Sequence, residues 1–179
     1  NSWFTYLLNY PEKIECGTAV YTLNQTKGRG RLGRSWEEQK GKNLAISAVY
    51  NLPVNKLAPM PLIAGMAVVK ALSSWELYPQ LKWSNDVILN GKKLAGILCE
   101  SRIEGRCARL VVGIGINLGK TTEDFAAENL QHATSLLIAG ADIPPGELAE
   151  AVAKSLEKYI EIYISEGFES KLKDEYESL

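Results

Sequence analysis

The run Leu110-Val-Val-Gly-Ile-Gly-Ile116 constrains this chain more than any other segment: it carries no charge and no hydrogen-bonding side chain, so it is stable as a central strand covered on both faces. Its neighbours read as the rest of an antiparallel meander. Val87-Ile-Leu89 and Lys93 to Glu100 flank Asn90-Gly91, the dipeptide favoured in two-residue hairpins because both turn positions need positive φ. Glu104-Gly105 marks the next turn, before Leu110 to Leu118. Two further strands, Thr18 to Leu23 and Asn43 to Tyr50, are indicated by β-branched and aromatic residues between turn signals.

Helices account for most of the remaining pattern. Ser2 to Leu8 form a short one, with Asn1 or Ser2 as its N-cap. From Leu57 to about Trp75, Leu62, Ala64, Met66, Val69 and Leu72 recur at helical spacing, with Pro59 and Pro61 near the start. After Pro144-Pro145, residues Glu147 to Ile164 align Leu148, Val152, Leu156, Tyr159 and Tyr163 along one stripe. Strands segregated from helices predict an α+β fold, a mixed, largely antiparallel sheet with helices packed on it. At 179 residues, one domain spanning 1–179 is expected.

Twenty Lys+Arg against 21 Asp+Glu leave a net charge of -1, so no global field draws the chain to nucleic acid or an anionic membrane and any basic site must be local. No stretch reaches the roughly 18 apolar residues of a membrane span, and no signal segment opens the chain. Cys16, Cys99 and Cys107 are odd in number and widely spaced, which fits a reducing, cytoplasmic setting. With His132 as the sole histidine, a His/Cys zinc site or a Ser-His-Asp triad has little to be built from.

Gly28, Gly30 and Gly33 match G-x-G-x-x-G, but only about a dozen residues separate Gly33 from the next strand, which leaves no room for the crossover helix of a dinucleotide site. A P-loop ending in Gly119-Lys120-Thr121 fails too, because Ile114 stands where its first glycine is required. The segment instead interleaves Arg29, Arg31 and Arg34 with glycines that leave backbone amides open to an anion. Such a loop suits phosphate and carboxylate together and is expected to order when a ligand fills it. A solvated basic loop or an RNA-binding arginine-glycine patch has the same composition.

Three more segments accompany it: Lys82-Trp83-Ser84-Asn85-Asp86, Lys92-Lys93-Leu94-Ala95-Gly96-Ile97-Leu98-Cys99-Glu100 and Val112-Gly113-Ile114-Gly115-Ile116-Asn117-Leu118. In order, spacing and residue type the four resemble the catalytic domain of the biotin–protein ligase family, whose fold is that of the class II aminoacyl-tRNA synthetases and biotin–lipoate ligases. Ser84 stands where the family motif has proline. Asn1 looks like the end of a Ser-Thr-Asn biotin motif, so a few N-terminal residues and a small C-terminal β-barrel domain are expected to be lacking.

The resemblance implies that biotin and ATP, with Mg²⁺, form biotinyl-5′-adenylate, which then acylates a lysine of a biotin carboxyl carrier protein. It leaves homodimerisation open and does not point to DNA binding. Both steps develop negative charge best met by preplaced cations. Matched to the family motifs, Lys93, Arg31 and Asp86 are the expected catalytic residues. Asn1, Gln25, Arg29, Gly30, Arg31, Lys93, Gly96 and Gly115 are the expected biotin site. Gly28, Arg29, Arg31, Gly33, Arg34, Trp36, Lys82, Asn85, Asp86 and Asn117 are the expected ATP and adenylate site, with Trp36 stacking on adenine and Trp83 structural. Strict alternation from Lys93 puts Ala95, Ile97 and Cys99 on its face and Gly96 on the other. Gly113 and Gly115 share a face and would let a flat ring approach the sheet. The rival readings are a lipoate–protein ligase and a nucleic-acid-binding module.

Overall fold

The computed structural model describes residues 3–10, 14–36, 39–169 and 171–179, so the expected roles of Asn1 and Ser2 lie outside the described residues. Among the described residues six strands form one sheet: β1 (Ala19–Thr22), β2 (Asn43–Pro53), β3 (Gln80–Lys82), β4 (Asp86–Leu89), β5 (Lys92–Glu104) and β6 (Cys107–Asn117). Their order is β1-β2-β6-β5-β4-β3, with every neighbouring pair antiparallel. The apolar run lies in β6, between the two other long strands. Asn90 and Gly91 adopt φ of 52° and 76°, the left-handed pair that the hairpin between β4 and β5 needs.

Among the described residues the α-helices are α1 (Trp3–Asn9), α2 (Met60–Ser73), α3 (Thr122–Ala127), α4 (Pro145–Glu166) and α5 (Lys171–Glu177). One face of the sheet is covered by α2 and α4: Leu44, Ile46, Val112, Ile114 and Ile116 pack in one cluster with Met66, Leu72, Val152 and Leu156. On the other face, Phe4 and Leu7 of α1 pack on Val49 and Val111. Arg109 holds that helix down, donating to the Leu7 carbonyl at 3.2 Å and the Ile14 carbonyl at 3.0 Å.

Three elements were not anticipated, namely β3, α3 and α5, each too short to show a period. A local signal does exist for α3. Thr121 Oγ1 accepts from the Asp124 amide at 3.2 Å and the Asp124 carboxylate accepts from the Thr121 amide at 2.8 Å, a capping box legible as T-x-x-D. Lys42, 2.6 Å away, and the Thr121 amide pull the Asp124 carboxyl down to about 2. Downstream of β6, Lys120 is 1% exposed and donates to both oxygens of Glu128, at 2.9 and 2.6 Å. Gln39 donates to the same carboxylate at 3.1 Å, tying the segment after the glycine-arginine loop to α3.

Removing one partner of a buried ion pair strands the other. Because Glu128 keeps some solvent contact, Lys120→Ala is expected to cost about 2–3 kcal/mol, which lowers Tm by about 5–10 °C. Calorimetry on the variant checks this, and a loss under about 0.5 kcal/mol would show the pair to be neutral.

Candidate active site

On the α1 face, the register of β2, β6 and β5 sets residues side by side in rows. Ala45, Gly115 and Gly96 form one, Ser47, Gly113 and Leu98 the next, and Val49, Val111 and Glu100 the third. The first row carries a single methyl group across three strands. Above it opens a cavity of about 290 Å³.

Flat groups do approach these glycines, and they belong to the protein. A Cβ on Gly115 would meet the Trp36 ring at 2.6–2.9 Å, and one on Gly96 would meet it at 2.8 Å. A Cβ on Gly113 would meet the Phe4 ring at 2.7–2.9 Å. Trp36 therefore lies on the bare row, with Lys93 Nζ 5.6 Å from its ring centroid. Its Nε1 is buried and, among the described residues, has no hydrogen-bond partner.

Residues 28–36 form a small hairpin rather than an irregular loop. The Gly30 amide donates to the Arg34 carbonyl at 2.8 Å, the Trp36 amide donates to the Gly28 carbonyl at 3.2 Å, and Arg29 bridges Ser35. A single turn at Arg31–Gly33 closes the tip, with Leu32 and Gly33 left-handed at φ of 56° and 73°. Side chains dock the hairpin on the body: Arg29 Nη2 lies 2.7 Å from Glu100 Oε1, and Arg31 Nη1 donates to Ser84 Oγ and, at 3.1 Å, to Asn85 Oδ1.

Lys93 Nζ lies 2.7 Å from Asp86 Oδ1. It also lies on the same side of the sheet as Gly96, since a Cβ there would be 3.4 Å from that nitrogen. The alternation expected from the sequence is overturned by a bulge: Val87 faces Ala95 but Ile88 faces Lys93, so β5 carries one extra residue at Leu94. Leu94 and Ala95 both turn into the core, and Lys93 is shifted onto the cavity side. Its backbone is bracketed from outside the hairpin, the amide donating to the His132 carbonyl at 2.9 Å and the carbonyl accepting from Thr134 at 2.8 Å.

Among the other residues expected from sequence, Gln25, Gly30, Arg34, Asn85 and Asp86 also line the cavity. Gly28 and Gly33 shape the hairpin instead. Lys82 is exposed on β3, away from the lining. Asn117 shares the face of Gly115 but is 4% exposed with its amide engaged: Oδ1 accepts from Asn43 at 2.9 Å and Nδ2 donates to the Thr134 carbonyl at 3.0 Å. Trp83 is not a packing residue, being 74% exposed in the turn before β4. The sequence reading passed over Phe4, Ala45, Ser47, Ser84 and Leu98, of which Ala45 and Ser47 were traceable as small residues alternating along β2. Cys99 offers no nucleophile, since burial pushes its thiol up to about 12.

The sequence profile of the Biotin/lipoate A/B protein ligase family matches residues 6–117. The chain belongs to this family. It is 35% identical over 165 residues to the Bifunctional ligase/repressor BirA of Bacillus subtilis, covering 89% of this chain and 50% of that protein. To the Biotin--[acetyl-CoA-carboxylase] ligase of Mycobacterium tuberculosis it is 33% identical over 152 residues, covering 80% of this chain and 54% of the relative. The chain spans about half the length of these curated relatives. Among solved structures, the biotin protein ligase from Aquifex aeolicus in complex with biotin and ATP superposes with a TM-score of 0.79 at 33% identity, over 97% of this chain and 72% of that one.

Proposed function

We propose that residues 1–179 are the catalytic domain of a biotin–protein ligase, which uses ATP to join biotin, through biotinyl-5′-adenylate, to one lysine of a biotin carboxyl carrier protein. The observation that carries this reading is Lys93, paired with Asp86 beside the bare Ala45–Gly115–Gly96 row and beneath an arginine hairpin. The Aquifex relative, solved with biotin and ATP, supports the substrate pair.

In the first step a biotin carboxylate oxygen attacks the α-phosphorus and pyrophosphate leaves. Charge accumulates on the phosphoryl oxygens, and Lys93 and Arg31 are the cations that meet it. Both are held by neutral or exchangeable partners, Asp86 for one and Ser84 with Asn85 for the other, so each can turn to the anion at little reorganisation cost. In the second step the carrier amine attacks the acyl carbon and AMP departs, with the same two cations facing the released phosphate. Gln25 and Gly30 form the biotin end, over the floor on which Gly96 and Gly115 seat Trp36 and beside Arg29, which is engaged by Glu100. Trp36 is the ring available to adenine, and Arg34 and Asn85 lie toward the nucleotide, whereas Lys82 stands off the lining and Asn117 is held by Asn43 and Thr134. Mg²⁺ arriving with ATP needs only one or two carboxylates beside phosphate and water oxygens, and Asp86 is the residue that would hold it. A cytoplasmic setting accords with three thiols that are all free.

The deciding experiment is ATP–pyrophosphate exchange with each acid supplied in turn. Exchange is expected with biotin and not with lipoate. Dependence on lipoate alone would overturn the substrate, and salt-sensitive RNA binding without nucleotide turnover would overturn the enzyme reading.

A further inference from the structure

The Arg29 side chain sits in a socket remote from Lys93. Glu100 follows Gly96 by four residues on the cavity face of β5, about 13 Å along the strand, and its carboxylate is 2.7 Å from Arg29 Nη2. On another side the guanidinium carbon stands 5.7 Å from the centroid of Phe4. Gly113 makes this second wall, because without its hydrogen-only side chain the Phe4 ring could not lie on β6.

The hairpin's internal bonds hold residues 28–36 together as a unit, so its attachment to the body depends on few side chains. The Arg31 contacts involve neutral oxygens and are given up when Arg31 turns to an anion. The Arg29 contact involves a full carboxylate four residues beyond Gly96 on β5, where it does not compete with a phosphate at Lys93. We propose that Glu100 is a positioning residue: through Arg29 it latches the arginine hairpin over the cavity and so retains the reactive adenylate. Arg29 on this view fastens the cover, and its guanidinium is not a ligand for the anion. The role in retaining adenylate rests on the function proposed above, whereas the latch itself does not.

Two readouts separate those claims. In the full chain without ligand, trypsin nicking at Arg31 and Arg34 reports hairpin opening. Glu100→Gln and Arg29→Gln are each expected to speed it about three- to fivefold, the scale of a half-exposed ion pair with charge-assisted hydrogen bonding. The double variant is expected to be no faster than either single one, because each change breaks the same contact. Tm should stay within a few degrees in all three. With biotin and ATP bound, release of adenylate from Glu100→Gln is expected to rise by a similar factor, while one-turnover adenylate formation at saturating substrate holds. Unchanged nicking in Glu100→Gln, or additive effects in the double variant, would overturn the latch. Faster nicking with unchanged adenylate release would overturn its role in retention. Wild-type protein inert toward biotin would instead sink the ligase reading, with nicking still deciding the latch.

Discussion

Replacing Lys93 with glutamine is expected to lower biotin-dependent pyrophosphate exchange by about 10²–10³-fold, the usual cost of removing one preorganised charge-stabilising group. The substitution shortens the side chain by one methylene and keeps a hydrogen-bond donor but removes the cation. Stability should barely move: the Lys93–Asp86 pair is about a quarter exposed at both side chains, so its loss costs about 1 kcal/mol or less. Tm accordingly shifts by no more than about 4 °C. Asp86 as a whole stays about a quarter exposed, and its buried Oδ1, which loses the lysine, can still be met by the glutamine amide. Exchange within about threefold of wild type would remove Lys93 from the chemistry, and a collapse of Tm would make it structural instead.

The second large effect is expected from Gly115→Val. Any side chain here enters space that Trp36 occupies, and the β6 backbone cannot retreat because it is paired on both sides, to β2 and to β5. Trp36 can retreat, since it ends a hairpin. The variant should therefore fold with near-native Tm, valine being well suited to a strand, yet fail to seat the hairpin. Biotin affinity and exchange are expected to fall by about 10²-fold or more, as when positioning is lost by about 1 Å. Calorimetric titration with biotin measures this, and wild-type affinity would show that Trp36 need not rest on the floor. Gly113→Val provides the contrast. It collides with Phe4, which belongs to α1 and is 4% exposed, so its cost of about 1–3 kcal/mol appears in Tm.

These two residues also mark how far the sequence could be read. Gly115 was placed on the open face by simple alternation, and its cross-strand partners follow once the meander is assumed. Lys93 was assigned to the site through the motif it shares with the family, but its face was misread. The extra residue at Leu94 is invisible locally, because two adjacent apolar residues look the same in a bulge as in a strand buried on both sides. Asn117 was likewise put on the right face, while the partners that occupy its amide come from 74 and 17 residues away. Glu100 closes a contact across 71 residues and left no pattern to find.

Turn chemistry and alternation act over a few residues, and on that scale the sequence determined the antiparallel meander, the Asn90-Gly91 turn, the buried central strand, the stripe of α4 and the arginine-glycine composition of the cover. Only the tertiary structure decided that the bare glycine row receives the protein's own tryptophan, that Lys93 turns toward that row, and that Arg29 is spoken for by Glu100. Those outcomes depend on register, on one bulge and on which distant side chains arrive at the same volume, and close packing settles them for the whole chain at once.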